Sequence, residues 1–124
     1  MEIRLLNKKT EVELVNEWLP FKITAKDLPG HTFCAIVNGD IIAIAGFRLM
    51  EGEICFIDSM ATDQKVEGQV RNSALDKLTV TMLKMAKDLG FKKVFATTKE
   101  DCIVKRAKKH GFCVVEQTVI AKEL

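Results

Sequence analysis

The chain has no tyrosine, one tryptophan, two prolines and two histidines in 124 residues. Trp18 and seven phenylalanines are its whole aromatic content, too little for a base-stacking surface. Nineteen basic residues against seventeen acidic ones leave +2. That charge is too small to imply a nucleic-acid partner. No apolar run approaches the ~18–20 residues that a membrane helix needs, so no membrane partner is expected. Met1-Glu2-Ile3-Arg4 lacks the basic-then-apolar start of a signal peptide. The four cysteines (Cys34, Cys55, Cys102 and Cys113) form no CxxC pair, and with only His31 and His110 beside them no zinc spacing exists. The expectation is therefore a cytoplasmic protein without a metal site, its thiols reduced and packed as small hydrophobes.

What is present is ordinary for a globular domain: 48% hydrophobic and 29% charged residues, without repeats or low-complexity segments. A chain of this length buries roughly two-thirds of its unfolded surface, enough for one core. Residues 1–124 are read as one domain.

Ile3 to Leu6 reads as a first strand. Thr10 with Glu13 forms a capping-box pattern, Val12, Val15 and Leu19 share a helical face, and Pro20 stops that helix. A connecting segment from Phe21 to Gly30 ends at Pro29-Gly30. A strand from Thr32 to Val37 meets Asn38-Gly39, a strong hairpin signal, and Ile41 to Leu49 returns. The near-continuous apolar run of that return strand predicts burial on both faces. Gly46 within it marks a bulge or a close backbone contact. After Glu51-Gly52, a strand from Ile54 to Ala61 leads into a polar loop, Thr62 to Gly68. Leu75, Leu78, Met82, Met85 and Leu89 then define a long helix from about Arg71 to Leu89, ended by Gly90. A strand (Lys93 to Thr98), a helix (Asp101 to His110, stopped by Gly111) and two closing strands (Phe112 to Glu116, Val119 to Ala121) complete the order β-α-β-β-β-α-β-α-β-β. That order implies a mixed α/β or α+β domain with helices on both faces of a central sheet.

This layout resembles the GNAT superfamily of acyl-CoA-dependent N-acyltransferases. The strings that carry the likeness are ICFIDSMAT, NSALDKLTVTMLKMAKDLGFKKVFATT, AKKHGF and the final VIAKEL. The resemblance implies a V-shaped splay between two strands that admits the pantetheine arm of acetyl-CoA. It also implies a loop opening the long helix whose backbone N–H groups hold the pyrophosphate. On that reading Met60, Ala61 and Thr62 contact the cofactor at the strand end. Glu67, Gly68, Gln69, Val70, Arg71, Asn72 and Ser73 contact it through the loop. Asp58 takes the place of an acidic residue near the attacking amine, a candidate general base.

Three loop positions depart from the family pattern. Glu67 stands where Arg or Gln is usual, Val70 where Gly is usual, and Asn72 where Gly or Ala is usual. Glu67 brings negative charge toward a phosphate, and Val70 brings a branched side chain where backbone must approach an oxygen. Glu100 and Ala107 occupy the places of a frequent Asn and of the Tyr that protonates the leaving thiolate. Cys102 near a helix start has no identifiable His partner, so it is not read as a nucleophile. Nine basic residues against three acids lie between Lys84 and Lys109, with Lys105, Lys108 and Lys109 on one helical face. Such a face is commonly just solvated. It also suits the CoA 3′-phosphate, a nucleic acid or an acidic protein.

Two functions from different classes follow from the resemblance. One is acetyl transfer from acetyl-CoA to a small-molecule or protein amine, with water protonating the thiolate. The other is a non-catalytic GNAT-like structural or interaction protein, such as a phage virion protein, with a protein partner or a homo-oligomer.

Overall fold

A computed structural model describes residues 1–124. Its elements are β1 (Glu2–Leu5), α1 (Lys8–Asn16), β2 (His31–Val37), β3 (Asp40–Leu49), β4 (Ile54–Thr62), α2 (Gly68–Asp88), β5 (Lys93–Phe95) and α3 (Asp101–Lys109). The sheet order equals the chain order, β1-β2-β3-β4-β5. The first four strands are antiparallel neighbours, and β5 runs parallel to β4 after the α2 crossover. This is the expected mixed α/β layout. No helix is long and apolar enough to cross a membrane.

The hairpin joining β2 to β3 turns on Asn38 (φ 51°) and Gly39 (φ 85°). Two positive φ values in a two-residue loop match the twist of the strands it joins, which is why Asn-Gly occupies it. As the central strand, β3 is buried from Ile41 through Phe47. On one face, Ala74, Leu78, Met82 and Ala86 of α2 pack against a layer that includes Phe33, Phe47, Cys55 and Ile57. On the other face, Val12 and Val15 of α1 join Leu6, Leu28, Cys34, Ile41 and Ile44. The helices cover both sides of the sheet, as the apolar run of β3 requires.

The helix starts differ from the sequence reading. Thr10 lies inside α1, whose N-cap is Asn7. The reciprocal bond comes from Glu11: its Oε1 accepts from the Asn7 N–H at 2.7 Å, and both its carboxylate oxygens take the Arg4 guanidinium. That hydrogen bond from Arg4 holds the Glu11 carboxyl below its ordinary range. At its other end α1 stops at Asn16, whose amide bonds both the N–H and the C=O of Ile23, so Leu19 falls outside the helix. The long helix begins at Gly68 rather than Arg71, because Glu67 already has cap geometry and its carbonyl accepts from the Arg71 N–H at 3.0 Å.

The closing strands expected at Phe112–Glu116 and Val119–Ala121 do not form, and β5 ends at Phe95 instead of Thr98. A strand needs a partner ladder, which β-propensity cannot replace. The outer edge of β5 carries no neighbour, and Val114, Val115, Val119 and Ile120 stay exposed.

Only half of the thiols are packed in the core. Cys34 and Cys55 are fully buried, and burial pushes both thiols up; Cys102 and Cys113 are exposed. The expected result of an Ellman titration of the native protein is therefore two fast equivalents. The other two react only after denaturation. Four fast equivalents would mean that the sheet opens readily around Cys34 and Cys55.

Candidate functional site

Parallel pairing between β4 and β5 is short. It runs Ile54↔Lys93, Cys55↔Val94 and Phe56↔Phe95, and stops there. The Phe56 and Phe95 rings stack at 5.6 Å at the last paired position, where β5 ends. From Ile57 to Thr62, β4 is held by β3 alone. That stretch therefore presents a free strand edge, a row of backbone donors and acceptors able to pair with an extended, amide-bearing ligand.

The same stretch carries a bulge. Ile44 pairs with Ala61 and Gly46 with Asp58, so β4 has one residue more than β3 over this interval. The surplus bends the strand and leaves Ser59 and Met60 outside the ladder. Ser59 takes φ 55°, which a non-glycine residue seldom adopts. Gly46 permits the bend from below: a Cβ built there would lie 2.5 Å from Pro29 Cγ and 3.2 Å from the Asp58 carbonyl oxygen. The expectation of a bulge or a close backbone contact at Gly46 is met by the register shift beside it and by the Asp58 carbonyl, while the tightest neighbour is the ring of Pro29.

Asp58 projects from the bulge with both carboxylate oxygens in use. Oδ2 pairs with Arg48 Nε, and Oδ1 accepts from the Ser59 hydroxyl at 2.7 Å. Beside the bulge lies a cavity of about 410 Å³ on the α1 side of the sheet. Seven of its ten lining residues are hydrophobic, among them Leu19, Phe21, Leu28, Ile44 and Met60. Ser59, Lys22 and Asp27 are its polar members.

The turn after β4 is tied down by backbone. Asp63 N–H donates to the Ile42 carbonyl at 2.9 Å, Val66 N–H to the Asp63 carbonyl at 3.1 Å, and Lys65 N–H to Asp63 Oδ1 at 3.0 Å. Helix α2 then starts without a side-chain cap. The N–H groups of Gly68, Gln69 and Val70 have no protein acceptor. Three donors without a protein acceptor and the positive end of a 21-residue helix therefore stand together just after the turn that follows β4.

The side chains around this terminus qualify the sequence reading. Val70 is half-buried and packs against the core layer under α2. Glu67 is exposed, its side chain forms no hydrogen bond, and its charge opposes an anion there. Arg71 donates to Gln64 Oε1. Asn72 is occupied: its Oδ1 accepts from Arg106 Nη2 at 2.8 Å and its carbonyl from Arg106 Nη1 at 3.2 Å. Gln69 and Ser73 are exposed on the first turns. Met60, Ala61 and Thr62 are half-buried on the open stretch of β4.

Sequence reasoning missed Ser59, Arg48 and the wall of the cavity from Leu19 to Leu28. Only Gly46 hinted at them, since a glycine inside a buried strand signals that something approaches closely.

No protein-family model matches the sequence, and no curated protein matches it. Solved structures do match in three dimensions. The protein TTHA1254 from Thermus thermophilus is 16% identical, with TM-score 0.73 over 100% of this chain and 98% of that one. Rv2747 from Mycobacterium tuberculosis, solved in complex with CoA, is 17% identical with TM-score 0.71, covering 98% of this chain and 76% of that one. An aminoglycoside acetyltransferase from an uncultured soil metagenomic sample, in complex with sisomicin, is 17% identical with TM-score 0.72, covering 99% and 95%. At these identities the likeness speaks for architecture alone, and it establishes that this chain has a GNAT-like fold.

Proposed function

We propose that the chain transfers an acetyl group from acetyl-CoA to an amine. The observation that carries this reading is the free edge of β4, which leads from the Phe56–Phe95 stack to the unbonded N–H groups of Gly68, Gln69 and Val70. A pantetheine arm carries amides that pair with such an edge, here Met60 to Thr62. A pyrophosphate is an anion of the kind that a helix N-terminus accepts. The CoA bound to the similarly folded Rv2747 supports the choice of carrier.

The chemistry needs little from the protein beyond placement and a base. The amine nitrogen attacks the thioester carbonyl carbon, a C–N bond forms, and the C–S bond breaks. The amine's proton passes to Asp58. With no tyrosine in the chain, the CoA thiolate takes its proton from water.

Calorimetric titration with acetyl-CoA is expected to saturate, with affinity falling as salt rises. Glu67→Gln is expected to tighten binding about fivefold, because it removes the charge that opposes the phosphates at the helix terminus. No heat and no melting shift at millimolar acetyl-CoA would overturn the reading in favour of a non-catalytic protein on the same fold.

A further inference from the structure

We propose that the acceptor is a single amine borne on an apolar body, that it sits in the cavity beside the bulge, and that Ser59 relays its proton to Asp58. This rests on the acetyl-transfer reading and adds the acceptor's class and the proton's route.

The cavity has the volume of a small-molecule site, and its walls are mostly hydrocarbon. Hydrocarbon walls favour an apolar body through the area they remove from water. The charges around it cancel. Lys22 and Asp27 both line the cavity, and Arg48 pairs with Asp58 behind it. The Asp27 carboxylate is half-used: Oδ2 accepts from the Thr24 N–H at 2.6 Å and from its hydroxyl at 3.2 Å, while Oδ1 accepts nothing. One free carboxylate oxygen suits one cationic or hydrogen-bonding group. A polyamine or aminoglycoside carries several positive charges, for which this site has no surplus of acid.

Ser59 connects the cavity to the carboxylate. It lines the cavity, whereas Asp58 does not, and its hydroxyl donates to Asp58 Oδ1 at 2.7 Å. A neutral amine in the cavity therefore meets the hydroxyl first. As the amide bond forms, the nitrogen's proton moves to Ser59 Oγ while the hydroxyl's own proton moves to Asp58, so the serine is regenerated in the same step. The protonated Asp58 releases its proton to water before the next turnover.

The test uses the full chain, a panel of amines and two readouts. Mass spectrometry follows acetylated product from phenethylamine, hexylamine, spermidine and an aminoglycoside. The methionine methyl resonances, with Met60 assigned by substitution, report amine binding with or without acetyl-CoA. The expected result is a Met60 shift with phenethylamine and at least tenfold higher kcat/KM for the apolar monoamines. Ser59→Gly removes the hydroxyl and relieves the positive φ, whereas Ser59→Ala would keep a Cβ at that positive φ. Ser59→Gly is expected to lower kcat about 10-fold to 100-fold with KM and the Met60 shift retained. Preference for polycations, no Met60 shift, or an unchanged kcat in Ser59→Gly would overturn the proposal. If acetyl-CoA binds but the apolar amines are neither bound nor acetylated, this inference fails and the acyl-carrier reading stands. If phenethylamine shifts Met60 but acetyl-CoA does not bind, the carrier reading fails and with it the relay, while the cavity's preference is upheld.

Discussion

Gly46→Ala is expected to destabilise the protein by about 2–3 kcal/mol, a fall in melting temperature of roughly 10 °C. Gly46 has no unusual backbone conformation, so the cost is one of space. The added methyl carbon would sit 2.5 Å and 2.9 Å from two ring atoms of Pro29 and 3.2 Å from the Asp58 carbonyl oxygen. The proline ring is rigid, and Pro29 is pinned because its own carbonyl accepts from the buried Thr32 hydroxyl at 2.7 Å. The methyl group must therefore push the segment before β2 off the sheet or open the β3–β4 ladder at the bulge. Either movement reaches the cavity, since Leu28 and Asp27 lie just before Pro29 and Ser59 just after Asp58. The double variant Gly46→Ala with Pro29→Ala is expected to recover at least half of the loss, because it deletes the ring atoms that collide. Strict additivity would instead assign the cost to the Asp58 carbonyl.

Asp76→Ala is expected to cost about 2 kcal/mol and to release α3. No residue of α3 is buried, so that helix is held mainly by ions. Arg106, Lys109 and His110 all converge on Asp76 of α2, at 2.8, 2.7 and 3.0 Å. The Arg106 and His110 side chains are 16% and 12% exposed, so losing their acceptor leaves donors sheltered from water; Lys109 at 64% simply returns to solvent. Burial alone would raise the Asp76 carboxyl, but hydrogen bonds from Lys109, His110 and Arg106 outweigh it and hold the group well below its ordinary 3.8. A carboxyl depressed in the folded state stabilises fully above its unfolded value and loses that contribution as pH falls through its folded one. The cluster therefore contributes fully above about pH 4, and its contribution drains away only in stronger acid. Hydrogen exchange checks the release of α3: amides from Ile103 to Lys109 speed up in Asp76→Ala while those of β3 do not. Unchanged exchange in α3 would show that Ile103, Val104 and Ala107 hold it without the ions.

Much of this architecture is readable from local pattern. The Asn38-Gly39 turn, the doubly buried β3 and the long α2 each follow from a short-range rule about turn geometry, burial or periodicity. The terminal strands are not, because a strand depends on a distant partner edge, which composition does not encode. The site is legible in outline only. Asp58 and the loop from Glu67 to Ser73 are singled out only by the family resemblance, and which way Val70 points is set by packing under α2. Likewise Asn72 is claimed by Arg106, thirty-four residues away. The bulge depends on how two strands count against each other, so Ser59 has no signature of its own.

Helix α2 begins without a cap, and this sets heat resistance against ligand capture. Laboratory evolution for thermal tolerance would readily accept aspartate or serine at position 67, worth about 1 kcal/mol by satisfying an orphan amide. On the proposed acetyl-CoA reading, each such gain occupies a donor that the pyrophosphate would use. Variants selected only by heating are thus expected to drift away from nucleotide carriers, whereas heating in the presence of the carrier would keep that doorway open.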